Sequence, residues 1–211
     1  MNKSIRPITI NTYFDKIFYI NLARDVDRNK NLLAQFEKFN ITNFERIEGT
    51  IVTEIPDKKL WRNLNQKDDK YILGSVGHQN VTLKIIKLSK ERNYKKILIF
   101  EDDIKILEDP SQLLSINENI LNDWDLLFFG GLIEHFFRNQ IVTTHAYAIK
   151  DTLFDNILNM LPVSGMETDN FYAKIIQHMS YNHNQSGMYN TRLMLPFDTI
   201  IQNKDFNSNI S

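Results

Sequence analysis

The amino-acid sequence predicts an α/β fold with a mixed, mainly parallel sheet, and three observations lead to this prediction. Short apolar stretches typical of strands, such as "KIFYIN" at 16–21, alternate with stretches whose apolar residues recur at helical spacing. The run "KKILIFE" at 95–101 is apolar almost without interruption, as in a strand covered on both faces. The resulting order β-α-β-α-β is typical of a parallel sheet, which binds its ligands at the carboxyl ends of the strands.

The elements can be assigned in chain order. The first strand is followed by a helix within 24–40 that places Leu32, Phe36 and Phe39 on one face, and a second strand at 44–50 is closed by Gly49. An irregular segment at 51–73 comes next. The remaining predictions are a helix at 74–93, the strand at 95–101, a helix at 111–123, a strand at 124–131 whose Gly130 and Gly131 could approach a ligand closely, a strand at 141–150, helices at 151–161 and 167–179, and an extended segment at 190–202.

The chain of 211 residues suits one domain with a substantial core. It contains no internal repeat and no linker rich in glycine, serine or proline. We therefore expect an N-terminal extension at 1–15, a single domain at 16–202 and a polar C-terminal tail at 203–211. The tail is expected to be ordered only where a ligand or a neighbouring segment holds it.

Charge and composition exclude several classes of partner. The formal net charge is -1, so the protein has no overall field to attract nucleic acid or an anionic membrane. No stretch reaches the ~20 apolar residues of a membrane span, and the N-terminus lacks the apolar region of a signal peptide, so a soluble, cytoplasmic protein is expected. Because the chain has no cysteine, metal ligands would be carboxylate, imidazole or amide groups, which favours hard cations.

Three consecutive acidic residues follow the apolar strand at 95–101. Like charges repel one another at such a position, so a positive group or a cation is expected beside them. Alternate residues of an extended chain point the same way, which predicts that Glu101 and Asp103 converge on a metal ion while Asp102 faces a ligand's hydroxyl groups. The alternative is a solvated acidic turn that caps a helix at 104–109.

A second polar cluster follows the first predicted strand. The amide of Asn21 can hydrogen-bond a base or a ribose, and the guanidinium groups of Arg24 and Arg28 can pair with phosphate oxygens, so this corner suits a nucleotide. Alternatively, the two arginines form a surface pair balanced by neighbouring aspartates. Gly49 is either a nucleotide-side glycine or simply a turn residue.

The five histidines show no close pairing that would indicate a metal site, and none is assigned to the metal. They are His78, His135, His145, His178 and His183.

Eight segments of the chain resemble glycosyltransferase family 25, which includes lipooligosaccharide and procollagen galactosyltransferases. They occur in the family's order and span the chain from about Lys16 to the C-terminus. The segments are "FYINLARDVDRNKNLLAQF", "FERIEG", "LGSVGHQNVTLKIIK", "ILIFEDDI", "WDLLFFGG", "THAYAIK", "ETDNFYA" and "PFDTIIQNKDFNSNIS".

One segment departs from the family's pattern. The family's helix motif is Gly-x-x-Gly-Cys-x-x-Ser-His, and this sequence keeps the two glycines as Gly74 and Gly77. His78, Val81 and Thr82 occupy the Cys, Ser and His places. The substrate contacts of this helix are therefore expected to differ from the family's.

The resemblance implies an A-type glycosyltransferase fold with one Rossmann-like nucleotide-binding domain, a nucleoside diphosphate sugar donor such as a UDP-sugar, and Mn²⁺ or Mg²⁺ as cofactor. It implies a donor site around Asn21 and Gly49. It also implies an acidic residue, Asp169, near a glycan, lipid-linked sugar or hydroxylated protein acceptor. Asp169 would then act as general base, with Glu167 as the nearby substitute, although it could also be only a helix N-cap.

Two other functions remain open at this point. A metal-dependent phosphohydrolase could use the same acidic cluster, but it would need more metal ligands than residues 101–103 supply. The altered helix motif is compatible with a catalytically degenerate domain that binds a nucleotide or a glycan.

Overall fold

A six-stranded mixed sheet organises the structure, a computed structural model that describes residues 8–64, 68–134, 140–177, 189–194 and 199–206. The strands are β1 (Lys16–Asn21), β2 (Phe44–Glu48), β3 (Lys96–Glu101), β4 (Ile104–Ile106), β5 (Leu126–Phe128), β6 (Leu132–Glu134), β7 (Gln140–Val142), β8 (Ala146–Lys150), β9 (Thr191–Leu193) and β10 (Ile200–Gln202). The α-helices are α1 (Ile10–Tyr13), α2 (Val26–Lys38), α3 (Lys58–Leu64), α4 (Asp69–Glu91), α5 (Pro110–Ile116), α6 (Phe154–Met160) and α7 (Thr168–Phe171).

The strand order in the main sheet is β2-β1-β3-β8-β5-β9. Strand β8 runs antiparallel to both of its neighbours, and the other three pairings are parallel. The predicted mixed, mainly parallel α/β sheet is confirmed. Since β1, β2 and β3 are adjacent and parallel, their carboxyl ends lie at one edge of the sheet.

The sheet is covered on both faces, as the apolar run of β3 predicts. Leu98 and Phe100 pack in one core cluster with Phe36 of α2, and Ile97 and Ile99 pack in a second cluster that includes residues of α4. Alternate residues of a strand point to opposite faces, so one apolar strand supplies both clusters. Every helix within the described ranges is too short or too polar to span a bilayer.

Helix α4 begins at Asp69, five residues before the predicted start, and α3 occupies part of the segment expected to be irregular. Asp68 caps α4 by accepting a hydrogen bond of 2.8 Å from the backbone N–H of Tyr71. Gly77 lies inside this helix. Any larger residue would clash there, because a Cβ would come within 2.3 Å of the carbonyl oxygen of Thr50. Glycine therefore allows α4 to pass close to the loop after β2.

The acidic triplet leads into a strand and not into the helix considered at 104–109. Strand β4 pairs with β10 in antiparallel fashion, with Ile106 opposite Ile200. Asp102 and Asp103 are 8% and 6% exposed, so the alternative of a solvated acidic turn is wrong. The pairing partner lies almost 100 residues away in sequence, which is why local periodicity did not reveal this strand.

Other elements are shorter or more interrupted than predicted. Strand β5 has three residues, and a Cβ at Gly130 would lie 1.9 Å from the carbonyl oxygen of Ile200, so the close approach there is to β10 rather than to a ligand. The predicted strand at 141–150 is broken at Thr143, whose φ of 80° is in the left-handed region. A π-helix, Tyr172–Gln177, continues α7, and residues 178–179 of the predicted helix lie outside the described residues.

Both ends of the described chain pack against the domain. Ile10 and Phe14 are buried in the first core cluster, although they belong to the predicted N-terminal extension. At the other end, Asn203 is buried, and the ring of Phe206 lies 5.5 Å from the guanidinium carbon of Arg28. Neighbouring segments thus hold the first residues of the predicted tail, and 207–211 lie outside the described residues.

Candidate functional site

A cavity of about 380 Å³ opens at the edge where β1, β2 and β3 end. It brings together every residue that the sequence predicted for donor and metal binding, namely Asn21, Arg24, Arg28, Gly49, Glu101, Asp102 and Asp103. The opposite wall is formed by the glycine-containing part of α4. We refer to this space as the donor cavity.

Arg28 is an internal counter-ion to the acidic triplet. Its Nη1 atom lies 3.1 Å from Oδ1 of Asp102 and 3.6 Å from Oδ2 of Asp103, and the residue is 8% exposed. The alternative that Arg28 belongs to a surface pair is therefore wrong. Arg24 is exposed at the same cavity, where a surface role and a ligand-binding role are both compatible with its position.

Asn21 connects the first strand to the triplet. Its amide nitrogen donates to Oδ2 of Asp102 at 2.6 Å and to the carbonyl oxygen of Asp25 at 3.1 Å. The residue is 1% exposed, and its Oδ1 atom has no hydrogen-bond partner among the described residues. Burial raises the pKa of Asp102, although the hydrogen bonds from Asn21 and Arg28 oppose this effect. A buried acceptor without a partner marks the wall of the cavity where a ligand could donate.

Gly49 follows β2 and lines the donor cavity. A Cβ at this position would lie 2.9 Å from Cδ2 of Leu22, so packing against Leu22 is sufficient to explain a glycine here. Its backbone N–H donates to the carbonyl oxygen of Asn21, which joins the ends of β1 and β2.

Asp103 has one open carboxylate oxygen. Gln202 donates to Oδ2 at 3.1 Å, whereas Oδ1 is buried and has no hydrogen-bond partner within the described ranges. Burial first, and then the negative charge of Glu101, raise the pKa of Asp103 to about 6, against the opposing effects of Gln202 and Arg28. An ionised Asp103 is therefore costly unless a cation joins it.

Glu101 is paired with His78, which was not among the predicted site residues. Oε1 of Glu101 accepts a hydrogen bond of 2.8 Å from Thr144 and lies 3.1 Å from Nε2 of His78. Burial alone would raise the pKa of Glu101, but nearby His78 first, and then the hydrogen bond from Thr144, lower it to about 2. Burial also acts to lower the pKa of His78, but Glu101 outweighs burial and raises it.

His78 also reaches the next cavity, because its Nδ1 atom lies 3.0 Å from the hydroxyl of Thr168. The available signal was its place in the glycine-containing helix motif, where His78 stands at the cysteine position of the pattern that the sequence resembles. Gln202, which contacts Asp103, and Thr144, which contacts Glu101, carried no comparable local signal.

A smaller cavity of about 170 Å³ adjoins the donor cavity. The two cavities share Glu101, His78 and Gln202. Asp169 lines the smaller one and is half-buried. We refer to this space as the second cavity.

Asp169 is not the N-cap of its helix, because α7 begins at Thr168 with Glu167 at the capping position. Oδ1 of Asp169 accepts a hydrogen bond of 2.7 Å from the backbone N–H of Asn170. Burial and the charge of nearby Glu167 raise the pKa of Asp169, while the bond from Asn170 acts in the other direction. Glu167 itself is 6% exposed and accepts a hydrogen bond of 2.8 Å from the Asn170 side chain.

No three acidic or imidazole groups in the described part of the chain are arranged as a ready metal site. The open Oδ1 atom of Asp103, beside Glu101, instead fits an ion that takes most of its ligands from water and a bound diphosphate. Mg²⁺ is commonly held in this way, by one or two carboxylates together with substrate phosphates. The donor set is thus compatible with the predicted Mn²⁺ or Mg²⁺.

The unfavourable charge of Asp103 leads to a first prediction. It applies to protein kept in a chelator, so that no divalent cation is bound. A folded-state pKa above the unfolded one means that Asp103 destabilises the fold increasingly as the pH rises from about 4 through about 6. Asp103→Asn should therefore increase the free energy of unfolding by roughly 1–3 kcal/mol at pH 7, and this gain should vanish near pH 4. Urea denaturation across this pH range measures the difference in the free energy of unfolding between variant and parent. Asp27→Asn, which removes a carboxylate at an exposed position, is the control. Equal stability of parent and variant at pH 7 would contradict the electrostatic account.

Comparisons with known proteins give a likeness in structure but none in sequence. No protein-family model and no curated protein sequence matches this chain. Among solved structures, the backbone is similar to the crystal structure of a glycosyltransferase involved in the glycosylation of the major capsid of PBCV-1. The TM-score is 0.49 at 10% sequence identity, over 83% of this chain and 80% of the other. The assignment of roles in the site therefore rests on the residues themselves.

Proposed function

We propose that the protein is a metal-dependent glycosyltransferase that moves a hexose, such as galactose, from a nucleoside diphosphate sugar to a hydroxyl group of a glycan, lipid-linked sugar or hydroxylated protein. The observation that carries the proposal is the junction of two cavities at Glu101, His78 and Gln202. Transfer between two substrates requires two sites that meet where the bond is exchanged.

The donor cavity has the composition expected for a nucleoside diphosphate sugar. Arg24, Arg28 and Lys70 line it and supply positive charge for the phosphates. The unpartnered Oδ1 atom of Asn21 can accept from a base or a ribose hydroxyl, and Asp102 positions both Asn21 and Arg28. These contacts support the donor assignments of Asn21, Arg24 and Arg28, whereas Asp102 holds Asn21 and Arg28, and packing against Leu22 is sufficient to explain Gly49.

Asp103 and Glu101 would hold the metal ion. A bound Mn²⁺ or Mg²⁺ acts as a Lewis acid toward the diphosphate that leaves. The protein's own part would be to supply the unpartnered Oδ1 atom of Asp103 and to favour the ionised form of Glu101 through His78 and Thr144.

Asp169 is the proposed general base in the second cavity. The acceptor hydroxyl gives its proton to the Asp169 carboxylate, its oxygen forms a bond to the anomeric carbon, and the bond from that carbon to the phosphate oxygen breaks. The electron pair of the broken bond leaves with the nucleoside diphosphate. Glu167 is the second candidate for the base.

Incubation of the purified protein with nucleotide sugars and Mn²⁺ tests the class of function. Release of the hexose, or its transfer to an added glycan, supports a glycosyltransferase. Release of phosphate from monoesters would favour the phosphohydrolase, and nucleotide binding without any turnover would favour the degenerate binding domain.

A second prediction concerns the metal. Mn²⁺ and uridine diphosphate together should raise the melting temperature more than the sum of their separate effects, because each supplies ligands to the other. Asp103→Asn should abolish this extra stabilisation while retaining the fold. Thermal denaturation with each ligand alone and with both measures the effect. If the variant keeps the full joint stabilisation, Asp103 does not hold the metal.

A further inference from the structure

The basic side chains of the two adjoining cavities are unequally distributed. Arg24, Arg28 and Lys70 line the donor cavity, whereas no lysine or arginine among the described residues lines the second cavity. The charged groups that line the second cavity alone are the carboxylates of Glu167 and Asp169 and the imidazole of His145. The donor cavity thus offers basic groups to an anion beside its carboxylates, whereas the described lining of the second cavity offers no lysine or arginine to balance Glu167 and Asp169.

The remaining wall of the second cavity is rich in hydroxyl groups. These belong to Tyr71, Ser75, Thr143, Thr144 and Thr168, and no aliphatic side chain lines the cavity within the described ranges. Hydroxyl and carboxylate groups can each exchange hydrogen bonds with a polyol. The apolar surface of this cavity comes from the Tyr71 ring and the threonine methyl groups and not from aliphatic side chains.

The two carboxylates lie where they would act strongly on a bound anion. Glu167 is 6% exposed and Asp169 is half-buried, so solvent screens them less than surface groups. Neither belongs to the proposed metal site, so a cation bound at Asp103 leaves their charges in the second cavity. A carboxylate on an entering sugar would be repelled by both.

We propose that the second cavity binds one uncharged sugar ring of the acceptor and rejects acidic sugars. This inference rests on the proposed function, because it takes the second cavity as the acceptor side. It narrows the acceptor class to a neutral glycan and makes charge the basis of the selection.

Binding of two matched sugars tests the proposal without requiring turnover. Methyl galactoside and methyl galacturonoside differ only at C6, where the second carries a carboxylate. In saturation-transfer NMR with Mg²⁺ and uridine diphosphate present, the neutral sugar should bind at least about tenfold more tightly. Equal binding, tighter binding of the acid, or binding of neither sugar would overturn the inference.

A pair of variants isolates the charge. Thr143 is half-buried and lines the second cavity only, so Thr143→Lys adds a positive charge there, and Thr143→Gln adds a side chain of similar reach without charge. The ratio of the dissociation constants of the acidic and the neutral sugar should be about tenfold smaller in the lysine variant than in the glutamine variant. If the two variants show the same preference, charge does not select the acceptor.

The controls separate this inference from the proposed function. If uridine diphosphate binds the parent but neither sugar does, the inference fails and the proposed function stands. If the neutral preference appears without any nucleotide binding, the proposed function fails and the charge selection stands. Displacement of the neutral sugar by UDP-galactose but not by uridine diphosphate would mean that the cavity holds the donor's sugar, which overturns the inference.

Discussion

Asp169→Asn should reduce sugar transfer by roughly 10²-fold or more while donor affinity and melting temperature stay close to those of the parent. An acceptor hydroxyl is a poor nucleophile at neutral pH, and the amide of asparagine cannot take its proton. The substitution keeps the shape of the side chain and an oxygen that can accept from the backbone N–H of Asn170, so α7 should persist. Initial rates, calorimetry with the donor and thermal denaturation measure the three quantities.

Glu167→Gln is the matched comparison, because Glu167 is the second acidic residue of the second cavity. If Asp169→Asn transfers sugar at the parental rate while Glu167→Gln does not, Glu167 is the base. If Asp169→Asn instead loses stability and donor binding together, Asp169 has a structural role and the mechanism is wrong.

Arg28→Ala should affect both the fold and the donor. Removing the guanidinium leaves two buried carboxylates, Asp102 and Asp103, without their counter-ion, and breaking a buried ion pair in this way costs roughly 3 kcal/mol or more. Binding of a nucleotide sugar should weaken by roughly 1–3 kcal/mol if the guanidinium also contacts the phosphates. Denaturant unfolding measures the first effect and calorimetry the second.

Three further variants keep this prediction decisive even if Arg28→Ala folds poorly. Arg28→Lys retains the charge but loses the planar fork, so stability should suffer less than donor affinity. Adding Asp103→Asn to Arg28→Ala should restore part of the lost stability. Arg24→Ala, at an exposed position, should leave stability unchanged. An unchanged donor dissociation constant in Arg28→Lys would make Arg28 a structural counter-ion alone.

The sequence was sufficient to predict that the polar groups at the ends of β1 and β3 share one cavity, but not that Lys70, His78 and Gln202 also line it. Asn21 ends β1 and Glu101 ends β3, and both strands carry the apolar pattern of a covered parallel sheet. Adjacent parallel strands end at the same edge, so the strand pattern alone brings these groups and the following helix with Arg28 together. Local pattern and elementary sheet geometry were enough for this part.

Only the tertiary structure decided how the carboxylates are partnered. The pairing of β4 with β10 brings Gln202 to Asp103 across almost 100 residues, and α4 brings His78 to Glu101 from another part of the chain. The same packing buries the acidic turn and breaks the strand before β8 at Thr143. Such contacts depend on which distant segments meet, and contacts of this kind produce no periodic pattern of residues in the sequence. The sequence by itself therefore determined the sheet and the edge that carries the site, whereas long-range packing decided which acid is held by a histidine and which retains an open oxygen.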